Sequence, residues 1–134
     1  MEFLKTYESD NLTDKVGMLS DNELLSNINH PAQMVKTFVL REIGLRGLKD
    51  KKLWEVFTEE IQRSENRSRI IRGLITISDF VLGEIAAVSG QAKIEVARLI
   101  QKWSKAEKEN FYTFLGERLK VAANKKNQFE KALV

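Results

Sequence analysis

No cysteine occurs in the 134 residues, which excludes disulfides and thiolate metal sites. There is one histidine, His30, so paired-histidine zinc motifs are absent and a histidine-based nucleophile triad has one candidate base. His30 precedes the single proline, Pro31, and reads as a turn residue rather than a ligand. The seven glycines are dispersed, with no Gly-rich phosphate loop ending in Lys-Ser or Lys-Thr and no G-x-G-x-x-G. Neither a cofactor nor a metal is expected. The N-terminus, MEFLKTYESD, lacks the basic start and apolar run of a secretory signal. These features point to a cytoplasmic protein without a membrane span.

What remains is a chain of helical patterns. Its length suits one domain that can bury a core without staples. Residues 1–30 hold two lysines against six acids, a net of −4, while the remainder carries +7, giving +3 overall. The division expected is an acidic N-terminal arm over 1–17, a helical domain over 18–124 and a tail over 125–134. The arm and the tail are expected to be the most mobile parts.

Ser20 with Glu23 matches a capping box, beside a Leu19–Leu24 staple, and starts a short helix over 21–28. Pro31 suits the first turn of a helix over 31–46, with Met34, Val35, Phe38, Val39, Ile43 and Leu45 inward and Gly47 as its stop. Asp50 caps a helix over 51–63 carrying Leu53, Trp54, Val56, Phe57 and Ile61. The dominant stretch is 67–88, RSRIIRGLITISDFVLGEIAAV. At 100° per residue, Ile70, Ile71, Leu74, Ile75, Ser78, Val81, Leu82 and Ile85 form one broad apolar face, which predicts a long, shielded central helix. Arg72, Asp79 and Glu84 interrupt it too often for a membrane span. A strand over LITIS is the rival reading, and it is disfavoured because no second strand-like run offers a partner. A helix over 91–103 follows, with Ile94, Val96, Ala97, Leu99 and Ile100 inward. Ser104 with Glu107 then caps a helix over 105–123. The fold class is all-α, as a compact bundle of about six helices or a short stack of helical hairpins.

Val35, Phe38 and Val39 align with Ile71, Leu74 and Ile75 at an offset of 36, a spacing that suggests stacked hairpins. Pro31, Val35, Leu40, Ile43-Gly44 and Asp50 resemble the first helix and turn of a HEAT or armadillo-type repeat, and the likeness spans about residues 30–103. That resemblance implies an α-solenoid that binds protein partners on a concave face, or in some members nucleic acid.

The candidate binding residues are basic. Arg63, Arg67, Arg69 and Arg72 gather at the start of the central stretch, where converging guanidinium groups would suit a phosphate. Lys102 and Lys105 form a second basic group. Glu42 is a candidate buried charge, because it falls on the apolar face of its helix and needs Arg46 or Arg67 as partner. The pairs Glu59-Glu60 and Glu107/Glu109 look solvated, which disfavours acid–base work. The expected function is a non-catalytic protein–protein interaction module: an adaptor, regulator or inhibitor. The alternative is a nucleic-acid-binding regulator that uses the arginine cluster.

Overall fold

Capping and turn chemistry set most of the helix boundaries. In this computed structural model, residues 9–68, 70–72 and 75–119 are described, with side chains described for 12–68 and 75–116. The expected tail over 125–134 lies outside them, as do residues 1–8 of the expected arm. The chain divides into two units, Met1–Glu60 and Ile61–Val134.

In the first unit, helix α1 is Ser9–Gly17, α2 is Asp21–Ser26, α3 is Gln33–Gly47 and α4 is Lys51–Gln62, whose last two residues belong to the second unit. Both α1 and α2 pack on α3. Residues 9–17 are therefore helical rather than a loose arm, and Leu12 and Val16 are buried. The capping box at Ser20 forms as expected, with Glu23 N donating to Ser20 Oγ (3.1 Å) and Ser20 N to Glu23 Oε1 (2.9 Å). Leu19 and Leu24, the expected staple pair, are both buried. At the next start, His30 Nδ1 accepts from Ala32 N (3.0 Å), so the lone histidine organises the turn that leads into α3. Asp50 Oδ1 accepts from Lys52 N and Leu53 N at the start of α4.

Gly44 and Gly47, one turn apart on α3, let α4 fold back closely. A Cβ on Gly47 would stand 2.9 Å from both Cα and N of Trp54, and one on Gly44 2.5 Å from the Phe57 ring. Gly47 is thus required by the close approach of a backbone as well as marking a helix end. Val35, Val39, Leu40 and Ile43 form the buried side of α3, and Phe57 meets them from α4.

In the second unit the expected continuous central helix gives way to four elements. Helix α5 is Ser64–Ser68, strands β1 (Ile70–Arg72) and β2 (Ile75–Thr76) pair antiparallel, and helix α6 is Ile77–Ala86. Ile70 faces Thr76 and Arg72 faces Ile75 across the ladder. The partner that LITIS lacked lies shortly before it, in Ile70–Arg72. Thr76 then starts α6 through a capping box with Asp79: Thr76 Oγ1 accepts from Asp79 N (3.0 Å), and Asp79 Oδ2 accepts from Thr76 N (3.5 Å). The offset of 36 consequently sets α3 against a hairpin, since Ile71 and Ile75 lie in strands.

Helices α7 (Gly90–Ile100) and α8 (Lys105–Leu119) both pack on α6. Ser89 caps α7 by accepting from Ala92 N, rather than closing the helix before it. Ile77, Val81, Leu82, Ile85 and Ala86 of α6 are fully buried. They share the core with Ala92, Val96, Ala97 and Ile100 of α7 and with Phe111 and Leu115 of α8. The Phe114 ring lies where a Cβ on Gly83 would be, 2.6 Å from it. The fold class is all-α apart from the one short hairpin, with eight helices among the described residues. None of these helices is long and apolar enough to cross a membrane.

Candidate functional site

Arg67, on α5, is the member of the predicted arginine cluster whose surroundings are fully drawn. Its Nε and Nη2 fork onto the Glu107 carboxylate of α8, with Nε to Oε2 at 3.0 Å and Nη2 to Oε1 at 2.7 Å. The guanidinium also lies over the Trp103 ring, 5.0 Å from its centroid. Trp103 is held in turn, its Nε1 donating to Gln62 Oε1 (2.8 Å), while Gln62 Nε2 donates to the Leu99 carbonyl. A guanidinium engaged by a bidentate carboxylate and an aromatic face is a tie between α5 and α8. It is not an open phosphate anchor.

Glu107 has two tasks, because Ser104 N donates to Oε1 (3.2 Å) and Ser104 Oγ accepts from Glu107 N (3.2 Å). Partial burial pushes its carboxyl up, but the hydrogen bonds from Arg67 and Ser104 outweigh that and hold it below the usual range. Asp79 shows the opposite balance. It is buried at the start of α6, and desolvation raises its carboxyl to about 6. The Thr76 hydrogen bonds oppose the rise, and the nearby negative charge of Glu107 adds to it.

Of the remaining basic candidates, Arg63, Lys102 and Lys105 have described side chains. Arg63 is exposed and lies 3.5 Å from Glu65. Arg72 sits in β1, and its side chain falls outside the described residues, as does the whole of Arg69. Lys102 is exposed in the turn after α7, and Lys105 is exposed as the first residue of α8.

Glu42 is half-buried rather than buried, and it belongs to a different network. Arg46 Nε donates to Glu42 Oε2 (2.9 Å) and Nη1 to Asp21 Oδ1 (2.8 Å), while Nη2 reaches the carbonyls of Gly17 and Leu19. Burial would lower the Arg46 pKa, and the Asp21 and Glu42 carboxylates raise it overall. Arg46 thus clamps the α1–α2 junction onto α3. Glu42 thus takes the local partner, Arg46, and Arg67 pairs with Glu107 in its own unit. Glu60, expected at a solvated face, is buried. Among the described residues, no three histidine, aspartate or glutamate side chains gather as a metal would require.

Among the described residues, three large apolar side chains stand in solvent: Met18 at 84 % exposure, Val88 at 53 % and Ile94 at 41 %. Ile94 was expected inward. Helix α7 buries Ala92, Val96, Ala97 and Ile100 instead, which turns Ile94 outward. Periodicity could not have singled it out, because Ile94 fits the i, i+3 rhythm with Ala97 as well as with the core. No protein-family model, no curated protein and no solved structure matches the chain.

Proposed function

We propose that the chain is a non-catalytic protein–protein interaction module, acting in the cytoplasm as an adaptor, regulator or inhibitor. The observation that carries this reading is the outward placement of Met18, Val88 and Ile94, the large apolar side chains that stand exposed among the described residues. Single exposed apolar residues are ordinary, but Val88 and Ile94 flank one helix start, and contiguous apolar surface rimmed by polar groups is what docking sites use. Arg67, the arginine at the centre of the phosphate reading, is engaged by the Glu107 carboxylate and the Trp103 ring, which disfavours the nucleic-acid alternative. The α3–α4 hairpin, the part nearest to the HEAT and armadillo likeness, supports the same reading, since those repeats present paired helices to protein partners.

The test is affinity capture from cell extract with the wild-type chain and with Met18→Asp, Val88→Asp and Ile94→Asp, each verified as folded by circular dichroism. A partner retained by the wild type and reduced about tenfold by at least one variant is the expected result. Retention of duplex DNA alone, falling steeply with added salt, would favour the nucleic-acid alternative instead.

A further inference from the structure

The outer face of α7 carries two kinds of side chain in sequence. Ile94 and Arg98 are one helical turn apart, and both are exposed, Arg98 to 67 %. Gln101, which ends the helix, keeps helical backbone angles (φ −53°, ψ −38°), so Lys102 continues the same i, i+4 row. Lys102 is exposed, and Lys105 follows beyond the turn, also exposed. At the other end Val88 stands out just before the Ser89 cap. Ile94, Arg98 and Lys102 thus form one row that passes from aliphatic to cationic, with Val88 exposed before its first residue and Lys105 exposed after its last. One acid borders it on α7: Glu95, which takes one Arg98 N–H at 2.7 Å and an N–H of Gln91 at 3.3 Å. The next carboxylate along the chain, Glu107, is committed to Arg67.

We propose that this face docks an acidic amphipathic segment of a partner protein, with its apolar side chains on Val88 and Ile94 and its carboxylates on Arg98, Lys102 and Lys105. The proposal deepens the protein-binding reading above and rests on it. Charge complementarity names the occupant. Three cations with one neighbouring acid attract carboxylates and speed encounter, while the aliphatic end supplies the desolvated anchor that holds a bound segment. A helical partner with apolar and acidic residues at i and i+4 matches the row's own spacing. A nucleic acid would leave Val88 and Ile94 unused, since strands are held by phosphate contacts and by stacking on aromatic rings. A membrane surface would call for a broad apolar helix face, and α7 has already buried its own in Ala92, Val96, Ala97 and Ile100.

The experiment is a display selection of random 16-residue peptides on the immobilised full chain, followed by fluorescence anisotropy with the enriched peptides. Enrichment of net-acidic peptides that carry a large apolar residue three or four positions from a carboxylate is expected. Their binding should fall at least tenfold with Ile94→Asp and with Lys102→Glu/Lys105→Glu together, and stay unchanged with Met18→Asp. These substitutions are at exposed positions, and circular dichroism checks that each variant is folded. As a second measurement, selection on the Lys102→Glu/Lys105→Glu chain should enrich basic peptides, which a merely damaged protein would not do. Peptides that bind but are lost with Met18→Asp instead would overturn this surface while leaving the protein-binding reading standing. No peptide enrichment overturns both, whether or not a labelled 20-base-pair duplex or phosphatidylserine vesicles bind through Lys102 and Lys105.

Discussion

Asp79 sets two effects against each other at the start of α6. Its carboxylate accepts from the Thr76 amide and complements the positive end of the helix, yet burial raises its pKa to about 6. A carboxyl whose folded pKa lies above its ordinary 3.8 binds its proton more tightly when folded. Its contribution to stability is fully present below 3.8 and is lost as pH rises through about 6. At about 1.36 kcal/mol per pH unit, the difference corresponds to about 3 kcal/mol. Glu107 has the reverse sign. Held below its ordinary 4.5, it contributes above that value and loses the contribution as pH falls through its folded pKa. Thermal melting should therefore move upward from pH 7.5 to about 5 and downward below about 4. Asp79→Asn keeps an acceptor for the Thr76 amide and removes the buried charge. It should flatten the profile between pH 7.5 and 5, and at pH 7.5 it should stabilise by about 2 kcal/mol after some loss of helix-dipole interaction. A wild-type melting temperature that is level or falling from pH 7.5 to 5 would contradict the assignment. On the sequence, Asp79 is one of the charges that interrupt the apolar stretch, and nothing local marks it as buried. Its burial comes from tertiary packing at the start of α6, which 3.6-residue periodicity does not show. Glu42 was more legible because its partner Arg46 is local, one turn on.

Elements were legible where their signals were local. The capping boxes at Ser20 and Ser104 and the Asp50 cap all form, since each depends on residues within one turn. The stretch 67–88 failed because an apolar run with β-branched residues suits a buried helix and a hairpin equally, and partner strands inside the same run hide from a search for a second run. Thr76 with Asp79 was the readable clue, a Thr-x-x-Asp cap in the middle of the supposed helix. Thr76→Ala should accordingly cost about 0.5–2 kcal/mol in urea denaturation. The two glycines of α3 and the one opening α7 give a sharper contrast. An added Cβ at Gly47 meets the Trp54 backbone, which cannot swing aside as a side-chain tip can, so Gly47→Ala should lower stability by about 1–3 kcal/mol. At Gly90 nothing lies within 4 Å, and alanine there only restricts the unfolded chain. Gly90→Ala should raise stability by about 0.4–1 kcal/mol. Equal urea midpoints for the two variants would remove the close-approach explanation for Gly47.

At the scale of the molecule, each unit is built around one helix. Helix α3 buries Val35, Val39, Leu40 and Ile43 in the first, and α6 buries Ile77, Val81, Leu82 and Ile85 in the second. Both helices receive their neighbours on more than one side, α1 and α2 on α3, and α7, α8 and the hairpin on α6. An amide in such a helix exchanges only when the surrounding unit opens, whereas those of α1 and of the hairpin can exchange through smaller openings. Native-state hydrogen exchange should therefore find the slowest amides of the first unit over 39–43 and those of the second over 81–85. The single long helix expected from the sequence would have placed the maximum over 74–82, so the position of the plateau distinguishes the two architectures. With each unit built around its own helix, the α3 and α6 amides should also follow different dependences on low urea, each reporting the opening of its own unit. Superimposed urea dependences for the two sets would mean that the cores open together, and protection continuous from 67 to 88 would restore the uninterrupted helix.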